Sequence, residues 1–131
     1  MYFDTRRARM QVVQTRCDWD RGFHILVELH QKLWESRGEP GSFSAARFAK
    51  FHQDATRRLL DAGSLRLCWL EVDGRPVAAE YLLASAGILY AYQSGRDPTA
   101  SHHQPGHLLL MAILRAAIDE GYQALDFLRG D

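Results

Sequence analysis

The chain has 131 residues, of which 47% are hydrophobic and 24% are charged, the composition of a single soluble globular domain. Its 16 basic and 16 acidic side chains balance, so the overall charge gives no attraction to nucleic acid or to an anionic membrane. No apolar run approaches the roughly 20 residues that span a bilayer. The two cysteines form no CxxC motif, which indicates a reducing compartment. We therefore expect a cytoplasmic protein without a nucleic-acid or membrane partner.

The N-terminal part of the sequence predicts a strand followed by a helix. Residues 10–16 have a β-branched centre, which is typical of a short strand. Beyond them, apolar side chains recur at helical spacing, with Asp18 or Asp20 as the expected N-cap and Gly38 as the expected C-cap. The predicted apolar stripe comprises Phe23, Leu26, Val27, His30, Leu33 and Trp34. Trp34 is expected to lie in the core.

A second amphipathic helix is predicted to follow the first after a turn. Ser42 or Ser44 supplies its expected N-cap, and Gly63 is expected to end it. Its predicted apolar stripe comprises Phe48, Phe51, His52, Ala55, Leu59 and Leu60. Residues 20–63 are therefore expected to form a helical pair.

Strand-forming residues dominate the next part of the chain. Three antiparallel strands are predicted there, namely LRLCWLEV, RPVAAEYLLA and ILYAYQSG. Two-residue turns at Asp73-Gly74 and Ala86-Gly87 are expected to connect them. The residues expected to be buried are Leu70, Val72, Val77, Ala79 and Cys68.

The C-terminal part predicts a loop, a helix and a last strand. These are RDPTASHHQPG, then GHLLLMAILRAAIDEG, which Gly121 is expected to end, and then YQALDFLRG. A helix between two strands returns the chain to the end where the first strand began, so the two strands are expected to pair in parallel. The predicted fold class is α/β (α+β), with a mixed sheet in the order strand–helix–helix–three-strand antiparallel meander–helix–parallel strand.

The segment SHHQPGHLLL is consistent with a metal site, an anion site or an ordinary helix start. Its histidines are His102, His103 and His107. They have no cysteine nearby, and Asp97 is the only close carboxylate, so no metal site is predicted. A helix that begins with Pro105 and Gly106 leaves free amides at His107 and Leu108, which suit a phosphate group. An ordinary strand–loop–helix connection is the alternative.

The order of elements resembles the first two-thirds of the GNAT acyltransferase fold, and five segments are similar, in order, to one branch of that superfamily. They are LHQKLWESRGEPGSF, FHQDATRRLLDAGSLRL, EVDGRPVAAEY, YAYQSGRDP and QPGHLLLMAILRAAIDEGYQALDFLRGD. The branch is the CelD-type acetyltransferase domain of cellulose biosynthesis, which is related to the Fem aminoacyl transferases. The resemblance implies one GNAT-like domain over residues 1–131. It would comprise an N-terminal strand and flank (1–19), a helical pair (20–63), and a meander with the cofactor-binding strand–helix–strand unit (64–131).

The resemblance implies acetyl-CoA or another acyl-CoA as co-substrate, and no metal. In the family, the pantetheine arm pairs with the third meander strand, and the pyrophosphate lies on the helix start that follows. The matching positions here are Tyr92, Gln93, Ser94, Gly95, Gln104, Gly106, His107 and Leu108. The family loop carries a basic or Gln residue and spaced glycines. This loop keeps only Gly106, with Gln104 and the histidines as the only expected side-chain donors.

The chemistry implied by the resemblance is direct attack of an amine on a thioester. It needs a base, an acid for the leaving thiolate and a backbone N–H that polarises the carbonyl. The candidate bases are Glu80, Asp126 and Asp131, and Tyr92 is the candidate acid. Glu80 interrupts the apolar strand and is expected to face either solvent or a cleft. Asp126 and Asp131 serve either the reaction or the structure, for instance by pairing with Arg129.

Two further histidines, His30 and His52, match family positions. Each is expected either to be a buried, hydrogen-bonded residue of its helix or to line the acceptor pocket.

The function implied by the resemblance is acyl-CoA-dependent N- or O-acyl transfer to a small-molecule or saccharide acceptor. A non-catalytic GNAT-fold interaction module and a Fem-like aminoacyl transferase that uses charged tRNA are the alternatives, and the neutral charge argues against the second. The resemblance also implies a further helix and two strands beyond Asp131. Without them the last strand is expected to be an exposed edge, through which two copies would form a homodimer.

Overall fold

The computed structural model describes residues 8–127, without the side chains of residues 101–103 and of Phe127. Its strands are β1 (Ala8–Val12), β2 (Leu65–Val72), β3 (Arg75–Ser85), β4 (Ile88–Arg96) and β5 (Ala124–Phe127). Its helices are α1 (Arg16–Ser36), α2 (Ala46–Asp61) and α3 (Pro105–Asp119), and 3-10 turns lie at Ser42–Ser44 and Pro98–His103. The predicted order of elements and the mixed sheet are confirmed. The first strand lies slightly earlier than predicted, because α1 already begins at Arg16.

The five strands form one sheet in which their spatial order equals their order in the chain. Strands β1 to β4 pair antiparallel, and β5 pairs in parallel with β4 after α3 has crossed the sheet. Both predicted hairpin turns are confirmed. The φ angles are 53° and 81° at Asp73 and Gly74, and 52° and 80° at Ala86 and Gly87. Positive φ at both central residues is type I′ geometry, which matches the twist of the flanking strands.

The helix α1 begins before either predicted N-cap. Thr15 is the N-cap, and its Oγ1 accepts a hydrogen bond from the amide of Asp18 at 3.2 Å. The predicted caps Asp18 and Asp20 are therefore wrong, since both lie inside the helix. Gly38, which has a φ of 76°, ends the helix as predicted, one residue after the C-cap Arg37.

The helix α2 begins without a side-chain cap, so the prediction of a serine N-cap is wrong. Its N-cap is Ala45, and no side chain caps the first turn. The hydroxyl of Ser44 instead donates to the carbonyl of Gly41 at 2.8 Å, which stabilises the 3-10 turn before the helix. Gly63, with a φ of 75°, follows the end of the helix as predicted.

The sheet separates two apolar clusters, one on each face. The cluster on the face covered by α3 comprises Ala8, Cys68, Leu70, Val72, Val77, Ala78, Leu82, Leu89, Ala100, Leu109, Ile113 and Ala117. The cluster on the face covered by α1 and α2 comprises Val13, Trp19, Phe23, Leu26, Leu29, Phe43, Leu65, Leu67, Trp69, Ala79 and Tyr81. We call these faces the α3 face and the α1–α2 face. Every burial prediction made for β2 and β3 is confirmed.

Burial on the helices differs from the predicted stripes. Phe51 is 65% exposed, whereas Thr56, which was not predicted, is fully buried. Thr56 is accommodated in the interior because its hydroxyl accepts from the indole nitrogen of Trp19 at 2.8 Å and donates to a carbonyl of its own helix. Trp34 is only half-buried, and the guanidinium of Arg37 lies 5.4 Å from its ring centroid.

The connection between β4 and α3 is shorter than the predicted loop. Arg96 still belongs to β4, and a 3-10 turn occupies Pro98–His103. Pro105 is the first residue of α3, where its missing N–H costs nothing, and Gly121, with a φ of 85°, follows the helix end. Within residues 8–127, no helix is long and apolar enough to cross a membrane.

Candidate functional site

The strand β4 carries a bulge at Tyr92. Tyr81 of β3 pairs with Gln93, but the next residue of β3, Leu82, pairs with Ala91, so Tyr92 is an extra residue in the strand. Gln93 faces the same side as its partner Tyr81, and Tyr92 packs against the cluster on that same side. The bulge therefore places two successive side chains, Tyr92 and Gln93, on the α1–α2 face.

The bulge coincides with the point where β4 and β5 separate. The parallel pairing runs from Ile88 with Ala124 to Ala91 with Phe127. Within residues 8–127, the part of β4 from the bulge to Arg96 has no partner strand on the β5 side. Backbone N–H and C=O groups on that edge can therefore pair with a ligand, except the carbonyl of Ser94, which lies 2.7 Å from Nδ1 of His30.

Glu80 lies on the opposite face of the sheet from Tyr92. It pairs with Cys68 of β2 and Ser94 of β4, and Cys68 belongs to the cluster on the α3 face. Glu80 is half-buried, and burial raises the pKa of its carboxyl from 4.5 to about 8. Ser94 beside it is exposed. Glu80 thus lies on the α3 face of the sheet, next to the unpaired edge of β4, and is only partly accessible to solvent.

Tyr92 belongs to a chain of three polar rings, of which the other two are buried. Its hydroxyl lies 3.3 Å from Nε2 of His52, and Nδ1 of His52 lies 3.3 Å from the hydroxyl of Tyr81. His52 and Tyr81 are 5% and 2% exposed. Burial lowers the pKa of His52, and burial together with the neighbouring Tyr92 raises the pKa of Tyr81 to about 12. Sequence reasoning named Tyr92 and His52 but did not connect them, and it missed Tyr81.

His30 connects α1 to the unpaired part of β4. It is 2% exposed; its Nδ1 lies 2.7 Å from the carbonyl oxygen of Ser94, and its Nε2 accepts from the amide of Ser42 at 3.4 Å. The helix α1 approaches β4 so closely there that a Cβ on Gly95 would lie 2.3 Å from the backbone nitrogen of His30. The expectation that His30 and His52 are buried and hydrogen-bonded is confirmed, whereas the expectation that they line the acceptor pocket stays a prediction.

A cleft of about 500 Å³ opens at the first turn of α3. Its lining residues are Leu33, Ser36, Arg37, Arg96, Pro98, Gln104, Pro105, Gly106 and His107. The first turn of α3 directs the positive end of its helix dipole toward this cleft, which suits an anion. The expectation of a free amide at Leu108 is wrong, because this N–H donates to the carbonyl of Gln104 at 3.0 Å. The side chain of His107 is exposed, and Gln104 adopts a left-handed backbone conformation with a φ of 49°.

The cleft contains two basic side chains that sequence reasoning missed. Arg96 at the end of β4 lies over the helix start, since a Cβ on Gly106 would lie 3.7 Å from its Nη1. Arg37 reaches the cleft from the end of α1. Among the residues that the structure describes, neither arginine has a carboxylate partner. The expectation that Gln104 and the histidines are the only side-chain donors at this turn is therefore wrong.

Of the remaining acidic candidates, Asp126 lies near the point where β4 and β5 separate. Asp126 is exposed, and it pairs with Tyr90 while its neighbour Leu125 packs in the cluster on the α3 face, which places Asp126 on the α1–α2 face with Tyr92. Asp131 lies outside the described residues, as does Arg129. The side chains of His102 and His103 also lie outside the described part of the chain. Among the side chains that the structure describes, no group of three or more His, Cys, Asp or Glu is placed to hold a metal ion.

Comparison with protein families gives one match that covers nearly the whole chain. A family model described as an acetyltransferase (GNAT) domain matches residues 4–131. Among curated protein sequences, none matches the chain significantly.

Solved structures share the fold at low sequence identity. An aminoglycoside acetyltransferase from an uncultured soil metagenomic sample, in complex with sisomicin, is 13% identical with a TM-score of 0.64, over 92% of this chain and 76% of that one. A GCN5-related N-acetyltransferase from Ralstonia eutropha JMP134 is 14% identical with a TM-score of 0.67, over 92% and 82%. The PaiA N-acetyltransferase from Thermoplasma acidophilum, in complex with coenzyme A, is 11% identical with a TM-score of 0.62, over 87% and 75%.

Proposed function

This chain belongs to the acetyltransferase (GNAT) domain family, and on that premise we propose that it transfers an acyl group, most simply acetyl, from acyl-CoA to an amine or hydroxyl. The observation that carries the proposal is the cleft at the start of α3, which contains two guanidinium groups and lies beside the unpaired end of β4. An anion site next to a free strand edge suits a ligand that has both a pyrophosphate and an amide-containing arm. The relative in complex with coenzyme A supports the same choice of ligand.

The proposed path of the co-substrate follows these two features. The pyrophosphate lies on the helix start, where the amide of His107 and the side chains of Arg96 and Arg37 meet it. The pantetheine arm pairs with the backbone of residues 92–95, on the edge that β5 leaves open. This path leads the thioester to the bulge.

The proposed chemistry is direct attack on the thioester carbonyl. The attacking amine loses a proton to Asp126, and a backbone N–H on the open edge of β4 polarises the carbonyl. Tyr92 donates its phenolic proton to the thiolate that leaves. Asp126 is preferred to Glu80 as base because it is exposed on the same face as Tyr92, whereas Glu80 is half-buried on the α3 face.

Binding of the co-substrate is the first measurement. We expect calorimetry to give saturable binding of acetyl-CoA to the unmodified chain. Gly106→Glu should abolish it, because the helix start has room for a side chain and the new carboxylate would occupy the anion site beside Arg96. Arg96→Ala should weaken binding about tenfold, the value of one charge-assisted hydrogen bond.

The matched control is Arg115→Ala, which removes an exposed arginine from α3 outside the cleft and should leave the affinity unchanged. Absence of binding to the unmodified chain at millimolar acetyl-CoA would overturn the proposal. It would favour the alternative of a GNAT-fold interaction module.

The choice of base predicts a difference between two isosteric variants. Asp126→Asn is expected to lower kcat for acetyl transfer to hydroxylamine about 100-fold, the usual contribution of a general base. Glu80→Gln is expected to leave kcat nearly unchanged. The measurement is the rate of CoA release at saturating acetyl-CoA. The opposite order of the two variants would assign the base to Glu80.

The proposed natural acceptor is an amine or hydroxyl group of a small molecule or saccharide. The relative in complex with sisomicin, an aminoglycoside acetyltransferase, supports this class. The CelD-type and Fem-like assignments, the domain limits, the cytoplasmic location and a homodimer through the edge of β5 stay predictions.

A further inference from the structure

We propose that His52 is a positioning residue for Tyr92, within a one-directional chain of hydrogen bonds. In this chain the hydroxyl of Tyr81 donates to Nδ1 of His52, and Nε2–H of His52 donates to the hydroxyl oxygen of Tyr92. The hydrogen of Tyr92 is then directed away from the core, toward the open edge of β4. The inference rests on the proposed acyl transfer, in which Tyr92 protonates the leaving thiolate.

The geometry places the three rings in mutual contact. The ring centroid of His52 lies 5.6 Å from that of Tyr81 and 5.2 Å from that of Tyr92, and the centroids of the two tyrosine rings are 5.3 Å apart. Both polar contacts measure 3.3 Å. The three residues come from α2, β3 and the bulge in β4, so the chain connects the interior with the site of the proposed reaction.

The surroundings hold His52 in place from the other side. The carbonyl of His52 accepts from the hydroxyl of Thr56 at 2.7 Å, and that hydroxyl accepts from Trp19 of α1 at 2.8 Å. The ring of Phe48 lies 4.5 Å from the His52 ring. The imidazole is thus oriented by packing, which is what a residue that positions another group requires.

A neutral imidazole has one donor and one acceptor nitrogen, so the chain can run in only two directions. Burial lowers the pKa of His52, which keeps the ring neutral, and the raised pKa of Tyr81, about 12, keeps a proton on its hydroxyl. If Nε2 carries the hydrogen, His52 stabilises negative charge on the oxygen of Tyr92. If Nδ1 carries it, the hydrogen of Tyr92 is used up in a bond to His52. Only the first direction assists proton donation.

The proton balance of the step is closed. The C–N bond to the acceptor forms and the C–S bond breaks, and the sulfur takes the phenolic proton of Tyr92. The phenolate that remains is held by Nε2–H of His52. The phenolate of Tyr92 is then reprotonated by the proton that the attacking amine released to Asp126 and that solvent carries back.

The direction of the chain is tested by the imidazole nitrogen signals in the NMR spectrum of the whole chain, with His52 assigned by its loss in His52→Gln. We expect a protonated Nε2 and an unprotonated Nδ1, and a displaced Nδ1 signal in Tyr81→Phe. A protonated Nδ1, or an Nδ1 signal that Tyr81→Phe leaves in place, would overturn the inference. This result does not depend on any turnover.

The effect of His52 on acyl transfer is tested with two variants, His52→Phe and His52→Gln. In His52→Gln the side-chain amide nitrogen replaces Nε2 as a donor to Tyr92. For transfer to hydroxylamine, kcat is expected to fall about 100-fold in His52→Phe, the scale of a general acid, and to recover at least tenfold in His52→Gln. Calorimetric affinity for acetyl-CoA should stay constant in both. Equal kcat in the two variants would overturn the positioning role. Failure of the unmodified chain to bind acetyl-CoA would instead refute the proposed function.

Discussion

Replacement of Gly95 by alanine is expected to lower the free energy of unfolding by about 3 kcal/mol or more, because the change overpacks a site bounded by backbone. The new Cβ would lie 2.3 Å from the nitrogen of His30 and 2.7 Å from the carbonyl carbon of Leu29. Backbone atoms cannot rotate away as a side chain can. Either α1 must lift from β4, or the strand must distort next to its bulge.

The measurement is urea unfolding followed by circular dichroism, with Gly63→Ala as the control. Gly63 has a φ of 75° and open space around it, so alanine there incurs only left-handed backbone strain of about 1–2 kcal/mol. A loss in Gly95→Ala no larger than that in the control would contradict the close contact of α1 with β4. The hydrogen bond from His30 to the carbonyl of Ser94 should also weaken, since both residues flank the new contact.

The features that depend on a few neighbouring residues could be predicted from the sequence. The turns at Asp73-Gly74 and Ala86-Gly87 and the helix ends at Gly38 and Gly63 all require a left-handed residue, and a glycine marks each. The N-caps were harder to predict, because Thr15 competes with two aspartates a few residues later. The decisive factor was where the preceding strand ends.

The placement of the candidate site residues could not be predicted, because one bulge changes the face to which a side chain points. Alternation along β4 would put Tyr92 on the same face as Ser94, and hence as Glu80. The extra residue moves Tyr92 to the α1–α2 face, where it meets His52 and Tyr81. No glycine marks the bulge, so the sequence carries no local signal for it.

The arginines of the cleft were missed for a related reason. Arg96 precedes Gly106 by ten residues, and Arg37 belongs to a different helix altogether. The 3-10 turn at Pro98–His103 brings the start of α3 back over the end of β4, and only this tertiary arrangement places Arg96 beside Gly106. The spacing of apolar residues predicts the helices but not how the start of α3 packs against the end of β4.

The carboxyl of Glu80 is expected to make the free energy of unfolding strongly dependent on pH. Its pKa is about 8 in the folded chain and 4.5 as the ordinary value, because burial disfavours the charged carboxylate. Between these two pH values the unfolded chain has released a proton that the folded chain still holds. The free energy of unfolding therefore falls as pH rises from 4.5 to 8, by about 1.4 kcal/mol per pH unit and about 5 kcal/mol at most. Above pH 8 both states are ionised and the contribution is constant.

Glu80→Gln removes this titration while it keeps the shape of the side chain. The variant should gain stability relative to the unmodified chain as pH rises from 5 to 8, and the difference should level off above pH 8. Urea unfolding at each pH measures it, with Glu39→Gln, a change at an exposed turn position, as the control. A difference that does not change with pH would show that the Glu80 carboxyl is solvated in the folded chain.

The same variant separates the two reasons for which an acid can occupy this position. If Glu80→Gln is more stable at pH 8 and retains acetyl transfer, the carboxyl is a half-buried group that the reaction does not use. If it is more stable but loses transfer while still binding acetyl-CoA, the fold tolerates a destabilising acid because the reaction needs it. The base would then act from the α3 face and Tyr92 from the opposite face, with the thioester between them at the open edge of β4.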